Sequence, residues 1–283
     1  MPHREDPPER PTILPADGSR PEPAFDVLPP VAPRAPLIVH VPHASTRIPG
    51  EVRAEIRLDD AELDAELIRL TDWHTDDLFG QLSDDGATLF VNRLSRLVFD
   101  PERFLDDALE PAAARGQGVV YRRGSLGQPI RELTAEQRAD RVEQLYRPYH
   151  AAFDGLVEEL LATFGRCRII DAHSFPSRPL ASELDQAPDR PDICIGTDAR
   201  HTPEELARAL EASFMAEGFR VKRDSPFSGA FVPERRHGRD ARVTSVMIEV
   251  RRGLYVDESS AERRADYPQL RAAIRRALES VLS

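Results

Sequence analysis

Two histidines sit where a short apolar run meets a polar turn, in Val41-Pro42-His43-Ala44-Ser45 and Ile170-Asp171-Ala172-His173-Ser174. Neutral imidazole is a common ligand of catalytic zinc, which takes three protein ligands and keeps a fourth position open. The segment Thr71-Asp72-Trp73-His74 supplies the third. Asp72 would complete a His₂-carboxylate set, and spacing alone leaves His74 as the alternative. Asp171 lies two residues from His173, hence on the same face of a strand. It either ligates too or accepts the second ring N–H and fixes the tautomer.

Glu249 is an acid inside the apolar run Ser245-Val246-Met247-Ile248-Glu249-Val250. An unpartnered buried carboxylate is costly, so Glu249 has either an ion-pair partner, with Arg251 and Arg252 adjacent, or a catalytic task. Beside a metal that task is general base, taking the proton of the attacking water and passing it to the leaving amine. The planar fork of arginine suits a substrate carboxylate or an oxyanion. Arg93, Arg96 and Arg103 fall together with Asp100 in residues 92–103, and Arg251 follows Glu249. Arg93, Arg96, Arg103 and Arg251 are the candidates for holding substrate.

These residues need strands to present them. Leu37-Ile38-Val39-His40-Val41 reads as a strand apolar on both faces, as in a covered sheet. Further strands are expected at 88–91, 97–99, 167–171, 193–195, 219–221 and 245–250. One or two helices broken near Thr71-Asp72 are expected over 59–83. Thr134-x-x-Gln137 is a capping box that opens a long helix, which Pro148 should kink. Thr202-Pro203-Glu204-Glu205 opens another, and an amphipathic helix from about residue 260 closes the chain. Such alternation predicts one α/β/α three-layer domain over 36–283 with a mostly parallel or mixed central sheet. In open sheets of this kind, ligands bind at the carboxyl ends of the strands, where His43, Asp100, His173 and Glu249 fall.

Eleven of the 25 prolines lie in the first 36 residues, so residues 1–35 read as a disordered leader. The net charge of −11 argues against general nucleic-acid or anionic-membrane binding. Cys167 and Cys194 lack metal-site spacing and read as reduced core thiols of a cytoplasmic protein. No run approaches membrane-spanning length. The sequence has no G-x-S-x-G elbow, Walker loop, G-x-G-x-x-G fingerprint or H-E-x-x-H helix, which sets aside serine hydrolases, NTPases, dinucleotide enzymes and zincins.

Taken in order, the motifs resemble the N-formylglutamate amidohydrolase family. To the pieces above they add Asp76-Asp77-Leu78-Phe79, Ser95-Arg96-Leu97-Val98-Phe99-Asp100, Gly118-Val119-Val120-Tyr121-Arg122, Tyr146-Arg147-Pro148-Tyr149-His150, Phe227-Ser228-Gly229-Ala230 and Arg251-Arg252-Gly253-Leu254-Tyr255. The resemblance implies a phosphorylase/hydrolase-like fold related to zinc carboxypeptidases and cleavage of the amide of an N-acyl amino acid such as N-formylglutamate. It implies one divalent metal, zinc foremost, on His43, Asp72 and His173, with Glu249 as general base and Arg96 and Arg103 facing substrate. The family often carries Asn before the arginine matching Arg103; this chain has Glu102, an acid that could repel an acidic substrate. A different amide, or binding of a small acid without turnover, are the alternative functions.

Overall fold

The computed structural model describes residues 12–13 and 22–282. Seven strands form the main sheet: β1 (Phe25–Leu28), β2 (Leu37–Val41), β3 (Thr88–Asn92), β4 (Cys167–Phe175), β5 (Ile193–Gly196), β6 (Val221–Arg223) and β7 (Val243–Arg251). Their spatial order is β1-β3-β2-β4-β7-β5-β6. β3, β2, β4 and β7 run parallel. β1 is antiparallel to β3, and β5, which carries β6, is antiparallel to β7. The sheet is therefore mixed, with a parallel centre.

Side chains alternate across this sheet, and each face is covered. Leu37, Val39, Val41, Ile170, Ala172, Ile248 and Val250 pack against Leu78, Phe79, Leu206, Leu210, Phe214, Ile274 and Leu278. The latter come from α2 (Thr75–Gly80), α5 (Glu204–Ala216) and α6 (Tyr267–Leu282). On the other face Ile38, Phe90, Ile169 and Val243 meet Tyr149, Phe153, Leu156, Val157 and Leu160 of α4 (Arg147–Phe164). Each such apolar side chain removed from water contributes roughly 1.5–3 kcal/mol. The three layers are those expected of the sequence.

Local signals explain the helix limits. Asp59 and Glu62 form a capping box at the start of α1 (Asp60–Leu70), which stops where Thr71 turns extended. Thr134 and Gln137 cap α3 (Ala135–Arg141). One π turn, Val142–Tyr146, then joins it to α4. Pro148 has no N–H to donate to the preceding turn, and the wider turn just before it absorbs that loss.

Several expectations differ from what is seen. Phe25–Leu28 lies within the stretch read as a leader but forms an edge strand, because Phe25 stacks on Phe90 with ring centroids 5.0 Å apart. The rest of that reading falls largely outside the described residues. Leu97-Val98-Phe99 is a turn rather than a strand: the three side chains are fully buried, while the Val98 N–H bonds back to the Ser95 carbonyl at 2.8 Å. The run over 219–221 pairs only from Val221, and the last helix starts at Tyr267. α5 begins at Glu204 with no side-chain cap, and the Thr202 hydroxyl donates to the Ser245 carbonyl at 2.6 Å.

Candidate active site

β2, β3, β4 and β7 point their carboxyl ends the same way, and the polar residues gather there. His43 leaves β2 through Pro42, whose carbonyl accepts from Asn92 Nδ2 at 2.9 Å. The loop carrying Asp72 is tied to it: the Asp72 N–H bonds the His43 carbonyl at 3.0 Å, and the Thr75 hydroxyl donates to the Asp72 carbonyl at 2.9 Å. His173 lies within β4, in register with Glu249 of β7. Asp100 ends the turn after β3, its N–H on the Val119 carbonyl at 2.7 Å.

The imidazole rings of His43 and His173 lie 5.1 Å apart. His43 Nε2 bonds Asp100 Oδ1 at 2.9 Å. That contact fixes the ring and leaves Nδ1 facing inward, where it is buried with no hydrogen-bond partner among the described residues. Asp72 Oδ2 stands 3.6 Å from this nitrogen and 3.1 Å from His173 Nδ1. His173 Nε2 meets Asp171 Oδ1 and Glu102 Oε1, each at 3.1 Å. His40, fully buried, bonds Asp171 at 2.9 Å through Nδ1 and the Tyr149 hydroxyl at 2.7 Å through Nε2.

His74 points elsewhere, its Nε2 on the Ala261 carbonyl at 3.1 Å. Of the two residues that spacing left open, it is Asp72 that stands between the histidines. Arg96 and Arg103 both reach Asp100 Oδ2, at 2.8 and 3.4 Å, and Tyr121 donates its hydroxyl to the same oxygen at 2.8 Å. Arg103 also stands 3.9 Å from Glu110, so the two guanidiniums face two carboxylates, and both side chains keep some solvent access. Arg251 is paired with Asp192. Its neighbour Arg252 takes the inward place instead, bonding the Arg69 carbonyl at 2.6 Å and standing 3.4 Å from Asp72 Oδ1. The exchange arises where β7 ends at Arg251 and a tight helical turn begins at Arg252.

Electrostatics separate the carboxylates. Burial alone would raise Asp72, but a hydrogen bond from His173 and the charge of His173 and His43 outweigh it and hold the group well below the usual range. Asp100 is likewise lowered against burial, by His43, Arg96 and Arg103. Burial pushes Glu249 up to about 8, with the His173 charge opposing and Asp72 adding to the rise. Glu249 Oε2 has no hydrogen-bond partner.

This arrangement fits a cation. Among the described residues, no guanidinium or ammonium stands within ion-pair distance of Glu102 or Asp171, whose nearest ionisable partners are histidines. Buried carboxylates with an orphaned imidazole nitrogen between them are stabilised by a metal ion. Nitrogen and oxygen donors together suit zinc and similar divalent ions.

The match to known proteins runs through the same residues. The N-formylglutamate amidohydrolase family model matches residues 35–256. The chain belongs to the N-formylglutamate amidohydrolase family. An N-formylglutamate deformylase of Pseudomonas aeruginosa is 30% identical over 263 residues, 88% of this chain and 94% of the relative. One from Pseudomonas putida is 28% identical over 80% and 84%. The crystal structure of an N-formylglutamate amidohydrolase from Ralstonia eutropha superposes with a TM-score of 0.78 at 26% identity, covering 91% of this chain and 96% of that one. The mixed α/β fold is thus shared with a solved N-formylglutamate amidohydrolase.

His40, Tyr149 and Arg252 escaped the sequence reading as members of the cluster. His40 carried the same signal as Glu249, a polar side chain within an apolar strand, and the pairing register places it across from Asp171.

Proposed function

We propose that this amidohydrolase is a metal-dependent deformylase that hydrolyses the amide of an N-formyl amino acid, N-formylglutamate foremost, to formate and the free amino acid. The observation that carries the reading is the inward His43 Nδ1, buried and unpartnered beside Asp72 and His173. His43, Asp72 and His173 would hold the ion, with Asp100 orienting the His43 ring. A divalent metal bound there supplies Lewis-acid polarisation and makes water a better nucleophile.

The chain's own groups do the rest. Glu249 takes a proton from the attacking water as the C–O bond forms, then delivers it to the amide nitrogen as the C–N bond breaks. Burial raises Glu249 in the metal-free site, and a neighbouring cation would pull it back toward the ionised form that a general base needs. Arg96 and Arg103, anchored on Asp100, offer positive charge to the oxyanion or to the substrate's carboxylate. Arg252 holds Asp72 in place.

The test is a hydrolysis screen over N-formyl, N-acetyl and peptidyl amino acids, with the protein stripped by chelator and divalent metal then restored. The expected result is N-formyl amide cleavage that vanishes on stripping and returns with metal, and is absent in His173→Ala along with the metal. Full activity in stripped protein, or in His173→Ala, would reject the scheme.

A further inference from the structure

Glu102 occupies a place that the simplest ligand set does not use. It follows Asp100-Pro101, and its N–H bonds back to Asp100 Oδ1 at 3.1 Å, which turns its side chain toward the histidines. Oε1 is 3.1 Å from His173 Nε2 and Oε2 is 3.8 Å from the orphaned His43 Nδ1. Donors bound at about 2.0–2.2 Å around a tetrahedral zinc lie roughly 3.3 Å apart, so these separations straddle what a shared ion needs. One donor atom from each of His43, Glu102 and His173 falls within 4.8 Å of the others.

A second group of three, His40, Glu102 and Asp171, also falls within that distance. It is satisfied without an ion. Both His40 nitrogens are bonded, and Asp171 Oδ2 accepts the Phe231 N–H at 2.9 Å. Glu102 is therefore free to serve the His43 side. Asp72, by contrast, has both oxygens engaged, one near Arg252 and one on His173 Nδ1. The Glu102 side chain is also the more exposed of the two acids, 15% against 2%, so it lies on the open side of the set.

We infer that Glu102 is itself a ligand of the metal held by His43 and His173. This rests on the metal reading above. It has a consequence for substrate: a carboxylate bound to a cation is neutralised, so Glu102 does not repel an acidic substrate as a free acid in that position would.

Cobalt(II) tests it, because its visible absorption reports the donor set directly. The full chain would be loaded with Co(II) as wild type, Glu102→Gln and Glu102→Ala, with folding checked by circular dichroism and affinity read by chelator competition. Both variants are expected to bind at least about tenfold more weakly and to show altered visible bands, with added acetate restoring the bands in Glu102→Ala. Unchanged affinity and bands would overturn the assignment. So would weaker binding with unmoved bands, since Glu102 would then act only through its contact with His173. A wild-type chain that takes up no Co(II) would overturn the metal reading itself.

Discussion

Glu249 stands across from His173 in the parallel pair β4–β7, so one register brings an acid and an imidazole to the same face of the sheet. If that acid moves the proton, Glu249→Gln should keep its metal and its fold while kcat falls by about 10²–10⁴-fold. Metal content by elemental analysis, measured beside turnover, checks both halves. Retained turnover would remove Glu249 from the chemistry.

Asp100 accepts from His43, Arg96 and Tyr121 and stands 3.4 Å from Arg103, all in a fully buried position. Removing its charge strands two guanidiniums. Asp100→Asn is expected to cost about 3–5 kcal/mol of stability, read as a lowered urea midpoint, and to weaken metal binding through the loosened His43 ring. A variant as stable as wild type would show that Arg96 and Arg103 find other partners.

His150 lies against Tyr146, Tyr149 and Phe231, with Nε2 on the Pro101 carbonyl at 2.8 Å. Burial pushes it down to about 4, with the Pro101 bond opposing and nearby His40 adding to the fall. An unfolded histidine titrates near 6.5, so the unfolded chain binds this proton first. The contribution is complete above that pH and is lost as pH falls from about 6.5 toward 4, about 3 kcal/mol in all. His150→Gln, which keeps a donor for Pro101, should lose less stability than wild type across that window. Parallel stability-against-pH curves would contradict this.

Cys167 and Cys194 are both buried and free, and burial pushes each thiol up to about 12. Thiolate is the reactive form. The folded protein is expected to leave a disulfide reagent unreacted at pH 8 over minutes, and the same protein in denaturant to react at two sites. Fast labelling of the native state would show that one thiol is accessible.

How much of this was legible depends on what kind of contact placed each residue. His43, His173 and Glu249 stood out because a polar side chain in or just after an apolar strand must be paid for by a partner. The layer order followed from the period of α4 and the covered strands. Arg252 could not be told from Arg251, because the choice turns on where β7 gives way to a tight turn. Glu102 gave only its charge; its aim depends on a bond from its own N–H to Asp100. Leu97-Val98-Phe99 misled because full burial gives the same apolar run whether the backbone pairs or turns.

Phe25–Leu28 gives the proline-rich stretch a part in solubility. The strand supplies backbone partners along the outer side of β3 and seats Phe25 edge-on to Tyr149, with centroids 5.6 Å apart. Shortening the chain to begin at Pro36 would uncover a ready template for strand addition by another copy. Such a product is expected to elute from size exclusion as aggregate, whereas one beginning at Pro21 stays dispersed. The practical boundary of the folded unit therefore lies before Phe25, upstream of Pro29, Pro30, Pro33 and Pro36.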